Sequence, residues 1–200
     1  ELNFVKSWIL TYLATDTARR RAQTDPAWQT RLETLWDRCD AMDADFDIMP
    51  LAGDPLLKEV APYWDEWLAN PDHGPFWDAI KVDGNYDQLD LAVMHAGAWY
   101  DVFLGGTLDT YTGMRKGAKT AAARDRQRLL IGPWDHMTVG NATPVGAYDP
   151  GMRSWHANID FDGIHLRFFD RHLRDIDNGL DSEPPVRIFV MGENRWRLEN

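Results

Sequence analysis

Apolar positions recur at helical spacing through the first part of the chain, then give way to short apolar runs separated by helical patterns. Phe4, Trp8, Ile9, Tyr12 and Leu13 form the first stripe, with Asn3 placed to cap the predicted helix. Trp28, Leu32, Leu35, Trp36, Cys39 and Met42 form the second. Asp25 precedes it as a cap and Pro26 falls in the first turn, where a missing N–H costs nothing. Asp54-Pro55 repeats that signal before "LLKEV", and "YWDEWLA" predicts a short helix ending near Asn70-Pro71. Short helices gain most of their stability from packing. Residues 1–75 are therefore expected to be a helical cap or lid against something larger.

After "NPDHGP" the pattern changes. "LDLAVMHAG" (89–97) and "RQRLLIGP" read as buried strands, with "FLGGTLDTYTGMRKGA" between them as a helix carrying Leu104, Leu108 and Tyr111 on one side. A loop over 137–153 leads to the helical pattern "ANIDFDGIHLRFFDRHLRD", with Ile164, Phe168 and either Phe169 or His172 turned inward. Strand–helix–strand–helix order predicts a parallel sheet with right-handed crossovers, an α/β core over 76–176. Past the linker-like "DIDNGLDSEPP", the alternation in "VRIFVMG" predicts the first strand of a separate β unit over 177–200.

Composition narrows the function classes. The 200 residues are 44% hydrophobic, enough for one sizeable core. A net charge of −11 argues against nucleic acid or an anionic membrane surface as partner. No apolar run approaches the roughly 20 residues of a spanning helix. One cysteine, Cys39, excludes an intrachain disulfide and a multi-cysteine zinc site. It leaves the compartment open, with the cytoplasm slightly favoured.

The chemistry gathers at two strand ends. In an open parallel sheet, ligands collect beyond the carboxyl ends of the strands. Asp101 follows one end in "AGAWYD", and Asp135 and His136 follow the next in "IGPWDHM". Neighbouring parallel strands lie about 5 Å apart, so an aspartate and a histidine on adjacent ends can hydrogen-bond. Such a carboxylate fixes the imidazole tautomer and stabilises the imidazolium formed in catalysis. Acid before histidine is also the closing half of the Ser…Asp…His order of α/β-hydrolases. Asp101 could instead be a turn former, and His136 a loop histidine satisfied by backbone. Asp135 competes as the acid, but an immediate neighbour reaches the following imidazole poorly. His165, His172 and Asp170 could suggest a metal and are better read as helix packing with a solvated edge.

"GAWYDVF", "LLIGPWDH", "FFDRHLRD" and "PPVRIFVMGENRWR", in that order, resemble the CocE/NonD hydrolases. These are the relatives of cocaine esterase and X-Pro dipeptidyl-peptidase. The resemblance implies an α/β-hydrolase core, a helical cap, a C-terminal jelly roll, and a serine nucleophile with no metal or organic cofactor. By position it implies Asp101 as triad acid, His136 as general base and Phe103 as an aromatic lining the acyl pocket. The family nucleophile lies in a G-x-S-x-G-like elbow, whereas Ser7, Ser154 and Ser182 stand in no such setting. The chain is accordingly expected to be a middle piece of a longer hydrolase, inactive alone. Its expected partners are a small acyl ester or amide substrate and either the remainder of the hydrolase or a second copy. X-Pro dipeptidyl-peptidase activity is the alternative within this chemistry. The alternative outside it is a non-catalytic module binding carbohydrate or another ligand.

Overall fold

The computed structural model describes residues 2–200 and divides into two units, one ending at Ile80 and one running from Lys81 to Asn200.

Unit 1 is helical. Helix α1 (Leu2–Trp8), a π-helical segment (Ile9–Ala14) and α2 (Thr15–Ala22) follow without a break, then come α3 (Trp28–Asp40) and α4 (Met42–Phe46). Helices α5 (Pro55–Val60), α6 (Tyr63–Ala69) and α7 (Pro75–Asp78) complete it. Asp54 caps α5 as its sequence predicts, its Oδ1 accepting from the N–H groups of Leu56 and Leu57. The first stripe faces inward only in part, through Ile9 and Leu13. Phe4, Trp8 and Tyr12 are exposed, whereas Ile9, Leu10, Ala14 and Ala18 are buried. Tyr12 lies within the wider π turn, where a fixed 3.6 period misplaces side chains, whereas Phe4 and Trp8 precede it in α1. Asn3 lies inside α1 rather than capping it.

These short helices bury part of their stripes against one another, while Phe4, Trp8, Tyr12 and Trp36 stay exposed. Ile9, Leu10, Leu32, Leu35, Leu57 and Trp64 close one core. Beside it lies a buried ionic chain. Lys6 Nζ meets Asp45 Oδ2 at 2.8 Å, Arg38 Nε meets Asp45 Oδ1 at 2.5 Å, and Arg38 Nη2 meets Asp54 Oδ2 at 2.6 Å. Burial raises the Asp45 pKa, but Arg38 and Lys6 outweigh it and hold the group below the ordinary value.

Unit 2 is a four-stranded sheet in the order β1 (Val93–Ala98), β2 (Gln127–Gly132), β3 (Val186–Val190), β4 (Arg195–Glu199). Strands β1, β2 and β3 are parallel, with His95 beside Leu129 and Ile131 beside Ile188, and β4 returns antiparallel to β3. Helices α8 (Leu104–Gly117) and α9 (Ala121–Asp125) connect β1 to β2, and α10 (Phe161–Leu173) lies between β2 and β3. Strand alternation sends β2 side chains to opposite faces. Leu129 and Ile131 pack with Tyr111, Leu104 and Leu108 of α8, while Leu130 packs with Ile164 of α10 and Trp134. Of the two candidates on α10, His172 turns inward: its Nε2 is buried, and Phe169 is exposed. One expectation is corrected. Residues 186–199 extend the α/β sheet rather than opening a separate β unit, because backbone pairing to β2 takes precedence over the linker-like composition before them.

Candidate active site

The loops after β1 and β2 are tied together by backbone. Trp99 N–H donates to the carbonyl of Gly132 at 2.9 Å, and Tyr100 N–H to that of Trp134 at 3.0 Å. The two indoles anchor the pair. Trp134 is fully buried, donates Nε1–H to the Ser154 carbonyl, and packs against Phe161 and Trp196. Trp99 Nε1–H reaches across to the Phe189 carbonyl of β3 at 2.7 Å. Two loops held this tightly can present side chains in fixed register.

Asp101 and His136 meet on those loops. Asp101 Oδ2 lies 3.1 Å from His136 Nδ1, and Asp101 Oδ1 accepts from the Phe103 N–H at 2.9 Å. One carboxylate thus does two things: it forms the turn that leads into α8, and it holds the imidazole. The Asp101 side chain is 10% exposed and that of His136 is 54% exposed, so a shielded carboxylate faces an accessible imidazole. With Nδ1–H donating to Asp101, the lone pair is left on Nε2.

Asp135 is turned away from this contact. Its Oδ1 accepts from Met137 N–H, Thr138 N–H and Thr138 Oγ1–H at 2.8–2.9 Å, which closes the loop after His136. Phe103, singled out as an acyl-pocket aromatic, is half exposed with its ring 5.0 Å from the His136 ring, edge to face. It also borders an open depression beside β1 with His95, Val102, Gly106, Thr107 and Thr110. Among the described residues no serine hydroxyl is hydrogen-bonded to His136. Ser154 is buried and donates to the Gly151 carbonyl.

Sequence reasoning missed what steadies the pair. The Phe103 N–H on Asp101 leaves no side-chain signature, and the buried Trp134 is recognisable only in retrospect from its place before "DH". Among the described residues no group of three or more His, Cys, Asp or Glu is placed to hold a metal ion. Nor is any helix long and apolar enough to cross a membrane.

The family model of the X-Pro dipeptidyl-peptidase (S15 family) matches residues 1–138. Cocaine esterase of Rhodococcus sp. (strain MB1 Bresler) is 31% identical over 153 residues, covering 76% of this chain and 25% of that esterase. The chain therefore spans about a quarter of that relative's length. An aminopeptidase from a marine sediment archaeon, Thaumarchaeota archaeon, shares the fold with a TM-score of 0.53 at 19% identity, over 79% of this chain and 24% of that one. With more than half of its residues inside the family model, as the motif resemblance implied, the chain belongs to the X-Pro dipeptidyl-peptidase (S15) family.

Proposed function

We propose that this chain carries the acid and base of a serine hydrolase that cleaves small acyl esters or amides. The supporting observation is the 3.1 Å contact between Asp101 and His136 Nδ1 on two loops held together by backbone. In this reading His136 Nε2 takes the proton of a serine hydroxyl as it attacks the acyl carbon, then returns it to the leaving group. Asp101 keeps the proton on Nδ1 and balances the imidazolium as it forms. The serine belongs to the longer protein, outside these 200 residues. Phe103, against the imidazole edge, lines the side of the site where the acyl group lies.

Asp101→Asn in the full-length protein tests the assignment. The amide keeps the size but can present an N–H to Nδ1 and hold the wrong tautomer. Turnover of an activated ester is expected to fall about 10³–10⁴-fold, roughly 4–5.5 kcal/mol of barrier. Asp135→Asn is expected to lose less than about tenfold, since it only loosens a turn. The reverse order of the two variants would show that the acid is misassigned. The second reading, release of X-Pro dipeptides, is favoured by the family model that matches residues 1–138. Comparing kcat/KM on p-nitrophenyl butyrate and on an X-Pro anilide decides between the two.

A further inference from the structure

One cavity in unit 2 has the opposite sign from the molecule as a whole. The chain carries a net charge of −11, yet Arg128, Arg167 and Arg187 line this cavity with a single carboxylate, Glu183. It lies between α10 and the sheet, walled by Met94, Leu130, Ile164 and Leu198, and encloses about 40 Å³. A water needs about 10–15 Å³ of such space, so the cavity holds roughly three.

Arg128 is the informative residue. It is 7% exposed, and its Nη1 and Nη2 donate to the carbonyls of Glu183 and Leu180. Its Nε is buried with no hydrogen-bond partner. Among the described residues neither Arg128 nor Arg187 forms an ion pair, and Glu183 is taken by Arg167 at 2.7 Å. Burial is the largest influence on Arg128 and pulls its pKa below the ordinary arginine value. Native interiors rarely leave a buried donor unmet or a buried charge unbalanced. Asp181 and Glu183 act on the Arg128 charge only from beyond ion-pair distance, so a water would satisfy the Nε–H but leave the charge without a contacting counter-ion. An anion meets both needs.

We propose that this cavity binds a small organic carboxylate, its oxygens on the Nε–H of Arg128 and on Arg187, its short carbon body against Met94, Leu130 and Ile164. The apolar walls argue against inorganic phosphate, whose tetrahedral oxygens need more donors than two arginines and a hydrocarbon surface supply. Arg128 stands four residues before Gly132, about 13 Å along β2 at 3.3 Å per residue. The site is therefore remote from His136, and the proposal stands or falls separately from the hydrolase reading.

The test follows the Arg128 Nε–H resonance in the ¹⁵N-labelled chain at constant ionic strength. Propionate, propionamide and inorganic phosphate are titrated in turn. Propionate is expected to give a saturating shift and propionamide none. Arg187→Gln, a half-buried position outside the core, is expected to weaken propionate binding about tenfold, and Glu183→Gln to tighten it. Saturation by phosphate but not by propionate overturns the carboxylate assignment. A shift that never saturates, or that both variants leave unchanged, marks an adventitious ion only and overturns the site.

Discussion

Two histidines, one on β1 and one in the loop after β2, live in opposite surroundings. His136 is open to solvent with its Nδ1 on a carboxylate, whereas His95 is buried with its Nε2 on Gln127 Oε1 at 2.9 Å. Gln127 Nε2 donates to the carbonyls of Leu91 and Ala123, which fixes the amide and leaves Oε1 to accept. His95 therefore carries its proton on Nε2 and is neutral. Burial lowers its pKa, opposed by the bond to Gln127. A lowered folded pKa means that the unfolded chain binds the proton first. The stabilisation is present above the ordinary histidine value of about 6.5 and is lost as pH falls through the lower folded value. Urea unfolding of unit 2 is expected to give declining stability from about pH 6.5 downward. His95→Phe should flatten the decline without abolishing it, since His172 is also lowered, first by burial and then by Arg126. An unchanged slope in His95→Phe would refute the tautomer argument.

At the scale of elements, the site depends on how two strand ends are joined. Gly132 closes β2, and its carbonyl receives the Trp99 N–H. A β-carbon at position 132 would fall inside the Trp134 ring, which is fully buried and cannot swing aside. Gly132→Ala is expected to destabilise unit 2 by about 1–3 kcal/mol through overpacking. It should also displace the loop that carries His136. The measurement is the urea midpoint together with the His136 ring resonances. A normal midpoint with unmoved His136 resonances would mean that Trp134 does not position the loop. In unit 1 the comparable element is α1, whose buried Lys6 meets Asp45 ahead of the π segment. Removing Asp45 leaves the buried Lys6 without a carboxylate and Arg38 with Asp54 alone, so Asp45→Ala is expected to cost about 3–5 kcal/mol.

The whole molecule has two cores with different acid limits. Unit 1 rests partly on Asp45 and Asp54, both held below the ordinary aspartate value. Burial raises each, and hydrogen bonds from Arg38 to both and from Lys6 to Asp45 outweigh it. Lowered carboxylates stabilise above the unfolded value of about 3.9 and lose that contribution as pH falls through the folded one. Unit 2 begins to lose its histidine contribution near pH 6.5, well before that point. Acid titration followed residue by residue by NMR is expected to show unit 2 weakening first and unit 1 holding to below about pH 4. Residues 1–80 expressed alone should unfold cooperatively, because Ile9, Leu10, Leu32, Leu35, Leu57 and Trp64 form one core within the unit. A non-cooperative, aggregating fragment would restore the view that these helices need a larger surface.

Much of this was legible in the residues alone. Hydrophobic period and cap chemistry placed α5, α6, α8, α10 and the strands β1 and β2 because those signals are local: a proline, an aspartate, a run of apolar side chains. The pairing of Asp101 with His136 was also within reach, since parallel strand spacing brings successive strand ends together whatever lies between them. The π segment was not, because one extra residue per turn leaves the apolar pattern looking regular while it rotates the buried face. The pairing of β3 with β2 was not legible either, because pairing partners are chosen by backbone geometry far away in sequence. For the same reason Arg128 gave no warning in "RQRLL". Only the fold brings it among carbonyls from residues 180 and 183 with one N–H left over, and no local pattern records the place where a charge is finally buried.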